Sequence, residues 1–241
     1  NYRHYVAAFQ HYTRIVARQI ESVLEALYST PAGKNTIVIV LADHGDGMGS
    51  HRMVTKQVSF YEEMTNVPFI IAGPGIHPRQ KPVEDLLTQP TIDLLPTLCE
   101  LAGIPVPSSK PGISLAPFLK GEKQKRQHPY AASEWHSEYE VTVSPGRMIR
   151  SPRYKYTHYL EGNGEELYDM LKDKGERRNL AHDPKYSKIL AEHRALLDDY
   201  IRRTQDDYRS LKVEADKRWR SHAPGYPNHE GPCARDIINR K

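Results

Sequence analysis

The sequence predicts an α/β portion followed by a smaller antiparallel β-sheet with a packing helix. Three patterns predict this fold class. Residues 5–27 carry a helical apolar stripe, residues 37–42 and 67–72 are continuous apolar runs, and residues 154–158 alternate between aromatic and polar side chains. With 241 residues, of which 38% are apolar, the chain is long enough for one large or two modest domains.

The first portion begins with a helix and a strand. Apolar residues recur at spacings of three and four from Tyr5 to Leu27, which predicts an amphipathic helix, and Pro31 and Gly33 end it. The run at 37–42 is rich in β-branched residues and has no polar alternation. We therefore expect a strand that is covered on both faces in a parallel sheet.

A second strand and a second helix follow. Residues 67–72 form another apolar run, and the turn at 73–75 closes it. Apolar residues on one side of the segment 91–102 predict a helix, and Gly103 is placed to cap its end. The segment 104–129 is rich in Pro, Gly and Lys, which is typical of a connection.

The pattern then changes to that of antiparallel strands. Tyr154, Tyr156 and His158 alternate with polar residues, and turn residues stand on either side, which predicts a meander with one face in water. Asp183 and Pro184 are an N-cap and a first helical residue for the helix that follows.

We place boundaries between three parts. Residues 1–125 form the α/β portion, residues 126–206 the small sheet with its helix, and residues 207–241 an extended basic arm without a clear period.

Composition excludes several classes of function. The net charge of +4 is spread along the chain without a basic stripe interleaved with aromatic residues, so we expect no nucleic-acid partner. No apolar run approaches the ~18 residues of a membrane span. Cys99 and Cys233 provide neither a disulfide framework nor zinc-ligand spacing. The chain starts at Asn1 with no signal peptide, and we expect that its natural beginning lies upstream.

Two polar residues follow the first strand directly. Asp43 and His44 stand where ligands bind in open α/β sheets, at the carboxyl end of a strand. Gly45 and Gly47 permit backbone angles that can direct both side chains to one point. A carboxylate and an imidazole together form half of a metal site. The alternative is that Asp43 caps a turn and His44 packs as a satisfied imidazole.

A set of motifs between residues 35 and 180 resembles, in order and spacing, the C-terminal half of type I sulfatases of the alkaline phosphatase superfamily. The motifs are Asn35-Thr36-Ile37-Val38-Ile39-Val40-Leu41-Ala42-Asp43-His44-Gly45, Met48-Gly49-Ser50-His51, Lys56, Tyr61-Glu62-Glu63, Val67-Pro68-Phe69-Ile70-Ile71, Gly73-Pro74-Gly75, Asp93-Leu94-Leu95-Pro96-Thr97-Leu98, Ala102-Gly103-Ile104, Gly112-Ile113-Ser114-Leu115, Arg150-Ser151-Pro152-Arg153-Tyr154-Lys155-Tyr156, Glu166-Leu167-Tyr168-Asp169 and Asn179-Leu180. The resemblance implies an alkaline-phosphatase-like α/β sandwich for the first portion.

The resemblance also assigns roles to residues. Asp43 would bind a divalent cation, usually Ca²⁺, and His44 would take the neighbouring ligand position that Asn occupies in many sulfatases, which leaves Mg²⁺, Mn²⁺ and Zn²⁺ open. Lys56 would contact the sulfate and leaving-group oxygens. His51 would either contact the substrate or hold its loop, and Arg52 stands where relatives often have Gly.

Glu134 and His136 follow an apolar strand. They could face the pocket, but buried hydrogen bonding is the better interpretation.

The implied function is metal-dependent hydrolysis of a sulfate ester of a carbohydrate or an aryl alcohol. The nucleophile, a formylglycine made within a Cys/Ser-x-Pro-Ser-Arg motif, would lie in an N-terminal half that acts as the partner of this chain. A phosphonate monoester or phosphodiester hydrolase of the same superfamily, and a non-catalytic domain that keeps the fold, are the alternatives. A homo-oligomer is left open, and relatives of this kind are often periplasmic or secreted.

Overall fold

The computed structural model describes most of the chain and divides it into two compact units. One unit contains residues 1–57 and 63–128, and the other contains residues 58–62 and 129–241. The described residues are 2–53, 59–84, 86–107, 111–123, 128–136, 145–160 and 164–211.

The first unit begins with the predicted helix. Helix α1 (Tyr2–Tyr28) is followed by a 3₁₀ turn at Pro31–Asn35, so the helix ends before the proline as predicted. No residue of α1 is buried within the chain, and several residues of its apolar stripe are more than half exposed, Tyr12 and Val23 among them. No helix in the described part of the chain is long and apolar enough to cross a lipid bilayer.

Two short strands form the sheet of the first unit. Strand β1 (Val38–Leu41) pairs with strand β2 (Phe69–Ala72) in antiparallel register, with Val38 opposite Ala72 and Leu41 opposite Phe69. The expectation of a parallel neighbour is therefore wrong for this pair, and Leu41 and Ile70 are 43% and 57% exposed. An apolar run shows that a strand has two apolar faces, but it carries no information on the direction of the neighbouring strand.

A buried carboxylate organises the remainder of this unit. Short helix α2 (Glu62–Thr65) precedes β2, helix α3 (Pro90–Ala102) follows it, and helix α4 (Ala116–Leu119) comes next. Asp93 on α3 is fully buried. It accepts hydrogen bonds from the backbone N–H groups of Gln89 (2.7 Å) and Ile113 (2.8 Å), and it contacts His128 Nε2 at 2.7 Å. Asp93 thus joins three separate segments.

The predicted glycine cap of α3 is confirmed. Gly103 has a left-handed φ of 69°, and its N–H group is directed to the carbonyl oxygens of Cys99 and Glu100. Glycine enters this conformation without the steric cost of a Cβ atom.

The second unit is an antiparallel meander, as predicted. Strands β3 (Ala131–Trp135), β4 (Gly146–Arg150), β5 (Tyr154–Tyr159) and β6 (Gly164–Asp169) lie in sequence order. Helix α5 (Ser187–Thr204) packs against β4 and β5. The core between helix and sheet consists of apolar residues from the strands, from α5 and from the segments beside them, namely Tyr130, Ile149, Tyr156, Leu167, Leu180, Leu190 and Leu197.

The start of α5 follows the predicted signal. The side chain of Asp183 accepts a hydrogen bond from the N–H group of Lys185, and Pro184 opens a 3₁₀ turn that leads into the helix. The first residues of the predicted arm form a 3₁₀ turn at Tyr208–Ser210, in which Tyr208 is buried. Residues 212–241 of the arm lie outside the described residues, and the three domain boundaries remain predictions.

The prediction that one face of the meander is in water is wrong. Lys155 and Thr157, the polar residues of the alternation, are each only 1% exposed. The Lys155 ammonium lies 2.7 Å from Glu62 Oε1 and 2.9 Å from Glu176 Oε1. Alternation distinguishes the two faces of a strand, but the carboxylates that allow a lysine to be buried are distant in sequence, and periodicity does not reveal them.

We predict that Asp93→Ala lowers the stability of the full-length protein by about 3 kcal/mol or more, because two backbone N–H groups and His128 lose their buried acceptor. Asp183→Ala, which removes an exposed helix cap, serves as the control and should cost about 1 kcal/mol. Chemical denaturation of both variants tests this. Equal effects of the two substitutions would show that burial of the Asp93 network adds nothing.

Glu166 gives stability a pH dependence. Burial raises the pKa of Glu166 to about 7, Glu176 adds repulsion, and Lys155 opposes both. An unfolded carboxyl ionises near its ordinary pKa of 4.5, so the stability contributed by neutral, folded Glu166 is fully present below that value and is lost as the pH rises to about 7. We predict that Glu166→Gln becomes progressively more stable than wild type over this interval. Melting temperatures from about pH 4 to about pH 8 measure it, and parallel curves would contradict it.

Candidate active site

Asp43 and His44 lie together just after β1, which ends at Leu41. The backbone N–H of His44 donates to Asp43 Oδ1 at 2.9 Å, and His44 Nε2 lies 3.6 Å from Asp43 Oδ2. The side chains are 41% and 87% exposed for His44 and Asp43. The structure therefore brings one carboxylate oxygen and one imidazole nitrogen to an accessible position at the end of a strand.

The carbonyl group of Gly45 determines the tautomer of His44. His44 Nδ1 is 2.7 Å from the carbonyl oxygen of Gly45, and this contact requires an N–H donor on Nδ1. In neutral His44 the lone pair is then on Nε2, the atom that faces Asp43. Metal-binding histidines are commonly oriented in this way by a backbone carbonyl. The donor set of one oxygen and one nitrogen fits a divalent cation.

Gly45 and Gly47 are needed because neighbouring atoms leave no room for a side chain at either position. The predicted role of unusual backbone angles at these glycines is not observed. Neither glycine has a positive φ. A Cβ atom at Gly45 would overlap the carbonyl oxygen of Glu63, and one at Gly47 would overlap the side chain of Met53. The N–H of Gly45 donates to the carbonyl oxygen of Met64 at 2.9 Å. The loop that carries His44 is thus held tightly against the backbone of α2.

The following loop contains two pairs of left-handed residues on either side of Ser50. Met48, Gly49, His51 and Arg52 have φ values of 45°, 89°, 52° and 63°. Arg52 therefore adopts a conformation that glycine favours. His51 Nε2 lies 3.9 Å from Glu63 Oε2 of α2.

Other predicted residues are placed differently. Lys56 lies outside the described residues. Glu134 and His136 are exposed, so their expected burial is wrong, although Glu134 accepts a hydrogen bond from Tyr200 Oη at 2.7 Å. Among the described residues, no three His, Cys, Asp or Glu side chains converge to hold a metal.

Sequence reasoning missed several residues that support the site. Asp46 accepts a hydrogen bond from the N–H of Met48 at 3.1 Å. The ring of Tyr2 lies where a side chain on Gly49 would be. Desolvation, the Asp46 carboxylate and Tyr2 raise the pKa of Tyr5. The first turn of α1 therefore packs beside the loop, and the spacing of Tyr2 and Tyr5 was a weak signal of it.

Comparison with known families identifies the chain. The family model of the C-terminal region of N-sulphoglucosamine sulphohydrolase matches residues 49–203. The chain belongs to this sulfatase family. The match confirms the resemblance to type I sulfatases, and solved sulfatases share its alkaline-phosphatase-like α/β fold.

Individual relatives are close. The chain is 76% identical over its full length to the Delta 4,5-hexuronate-2-O-sulfatase of Bacteroides thetaiotaomicron, and it spans 50% of that protein. A solved 2-O GAG sulfatase is 76% identical with a TM-score of 0.88, over 98% of this chain and 51% of its own. A protein solved with its substrate D-glucosamine-2-N,6-O-disulfate is 26% identical with a TM-score of 0.67, over 83% of this chain and 40% of its own. The chain thus spans about half the length of the 76%-identical sulfatase.

We predict that Gly45→Ala destabilises the full-length protein by about 2 kcal/mol or more, because the new methyl group would displace the backbone of α2. Gly164→Ala is a matched control, because the nearest atom to its Cβ would be 3.8 Å away. Chemical denaturation of both variants provides the measurement. A Gly45→Ala protein as stable as the control would show that the close approach is unimportant.

Proposed function

We propose that this chain is the C-terminal half of a sulfuric ester hydrolase that removes a 2-O-sulfate group from an unsaturated hexuronate. The observation that carries the proposal is the 76% identity to the Delta 4,5-hexuronate-2-O-sulfatase along the whole chain. The Asp43–His44 pair supports it independently, since these side chains offer an oxygen and a nitrogen ligand at one accessible point. The N-terminal half of the same protein would complete the active site.

Asp43 and His44 would hold a divalent cation. Asp43 would contribute a carboxylate oxygen, and His44 would contribute Nε2, oriented by the Gly45 carbonyl. Calcium takes about six to eight oxygen donors, so these two residues would supply part of its coordination, and the nitrogen ligand also suits Mn²⁺ or Zn²⁺. When bound, the cation supplies positive charge that stabilises the negative charge on the sulfate oxygens.

The remaining roles belong to a cationic side chain and to a nucleophile outside this chain. Lys56 would place its ammonium near the bridging oxygen, where negative charge develops as the leaving alcohol departs. The formylglycine nucleophile is expected in the N-terminal half. His51, held beside Glu63, would maintain the loop between Asp43 and Lys56.

The substrate class follows from the relatives. The closely similar sulfatase acts on a hexuronate sulfate, and the more distant solved protein binds a glucosamine disulfate. Both are sulfated sugars. We therefore favour a sulfated carbohydrate over an aryl alcohol ester as the natural substrate.

A paired assay tests the proposal. The full-length protein should hydrolyse an unsaturated hexuronate 2-O-sulfate and an aryl sulfate faster than the matched aryl phosphonate. Preference for the phosphonate would establish the phosphonate monoester hydrolase alternative. Absence of hydrolysis with all three substrates, under each divalent cation, would favour a non-catalytic domain.

Substitutions then test the site. Asp43→Ala should lower kcat/KM by about 100-fold or more and reduce the bound metal measured by elemental analysis, because a ligand is lost. Lys56→Ala should lower kcat while metal content stays at the wild-type level. Asp207→Ala, far from the site in sequence, is the control and should change neither quantity. Wild-type metal content in Asp43→Ala would contradict the ligand assignment.

A further inference from the structure

One residue of α2, Glu63, contacts the loop of the candidate site at two separate points. We call residues 43–53 the site loop, and they lie in the first compact unit together with Glu63. The carbonyl oxygen of Glu63 would be 1.8 Å from a Cβ atom on Gly45. The carboxylate oxygen Oε2 of Glu63 lies 3.9 Å from His51 Nε2. The backbone of Glu63 therefore meets the first part of the site loop, and its side chain meets the last part.

The backbone contact bears on the orientation of His44. Next to Glu63, the carbonyl oxygen of Met64 accepts a hydrogen bond from the N–H of Gly45 at 2.9 Å. The carbonyl oxygen of Gly45 is in turn 2.7 Å from His44 Nδ1. Because the position of Gly45 is fixed from both sides, the imidazole of His44 is held in one orientation.

The side-chain contact places a buried carboxylate oxygen beside an imidazole. Oε2 of Glu63 is buried and has no hydrogen-bond partner among the described residues, although the Glu63 side chain as a whole is 28% exposed. A buried acceptor is costly without a donor, and such atoms in folded proteins normally face the group that satisfies them. The His51 ring, 18% exposed, presents Nε2 to this oxygen within ion-pair distance. An approach of about 1 Å makes this contact a hydrogen bond.

The site loop has a strained backbone that needs contacts from outside. Met48, His51 and Arg52 have left-handed φ values of 45°, 52° and 63°. Non-glycine residues keep such a conformation only where the surrounding structure enforces it. The carboxylate of Glu63 reaches one of these strained residues, His51, from a different element of the fold.

Two groups of the proposed site depend on the shape of this loop. His44 lies near its beginning, and Lys56 follows Met53, its last residue, after two intervening residues. In the proposed function, the cation bound by His44 and the ammonium of Lys56 act on different oxygens of one sulfate group. The separation of the two groups therefore controls the rate, and a misplacement of about 1 Å can cost about 100-fold.

We propose that Glu63 is a positioning residue that fixes the site loop at Gly45 and at His51. It thereby sets the separation between His44, a proposed metal ligand, and Lys56. This inference rests on the proposed function for the metal and the sulfate group, whereas the contacts of Glu63 exist without either. In this role Glu63 touches neither the substrate nor the cation.

A double-mutant cycle in the full-length protein tests the side-chain contact, because residues that act through each other have effects that do not add. Glu63→Ala removes the carboxylate, and His51→Gln removes the imidazole. Each variant should lower kcat about tenfold, with KM for an unsaturated hexuronate 2-O-sulfate close to that of wild type. The double variant should be no slower than the slower single variant.

Two further variants separate positioning from a general loss of stability. Glu63→Gln keeps an acceptor of the same length and should recover part of the kcat that Glu63→Ala loses. Glu100→Gln, at an exposed glutamate of α3 in the same unit, is the matched control and should equal wild type.

Hydrogen exchange in the metal-free protein gives a reading that does not depend on activity. The Met53 amide, which donates to the carbonyl oxygen of Ser50, should exchange faster in Glu63→Ala than in wild type. The Ile104 amide, which donates to the carbonyl oxygen of Cys99 at the end of α3, should exchange as in wild type.

Each result either supports or overturns the inference. Wild-type kcat in Glu63→Ala, or additive effects of Glu63→Ala and His51→Gln, overturns it. Equal acceleration of exchange at Met53 and Ile104 also overturns it, because the loss would then be global. If Glu63→Ala does not fold, the cycle is run with Glu63→Gln, and additive effects there overturn it equally. A wild-type protein that hydrolyses no sulfate ester overturns the proposed function, while exchange at Met53 still decides whether Glu63 holds the loop.

Discussion

The buried ammonium of Lys155 is the interaction on which the second unit depends. It lies on the face of the meander opposite the apolar core, and three acceptors from two distant segments surround it. A buried charge without partners would cost far more than any hydrogen bond contributes, so these segments must reach the sheet for the sheet to form as observed. Burial, with added repulsion from Glu176, raises the pKa of Glu166 to about 7, and Lys155 opposes this shift.

In the first unit, a buried negative charge joins separate segments, as the positive charge of Lys155 does in the second unit. Asp93 is a fully buried carboxylate on α3, and its partners are two backbone N–H groups and His128. In both units a charged group inside the protein joins segments that apolar packing alone would leave less defined. Directed hydrogen bonds permit one arrangement, whereas apolar contacts tolerate several.

The site itself is built from short-range interactions. Asp43, His44 and Gly45 are consecutive, and local hydrogen bonds orient the imidazole. The loop that contains these three residues is fixed by the close approach of α2, which requires a glycine at position 45. In the proposed function, Asp43 and His44 would be two metal ligands on this loop, which packs against the backbone of α2.

The sequence by itself determined the three long helices, the strands at 38–41, 69–72 and 154–159, the caps at Gly103 and Asp183, and the family. These features depend on local periodicity, on turn residues and on motifs that can be recognised in the sequence alone. Tertiary structure alone decided the antiparallel pairing of β1 with β2, the burial of Lys155 and Thr157, and the roles of Glu63, Met64 and Glu176. Each of these features depends on a partner that is distant in the chain. A local sequence pattern gives the type of each residue but does not identify its distant contacts.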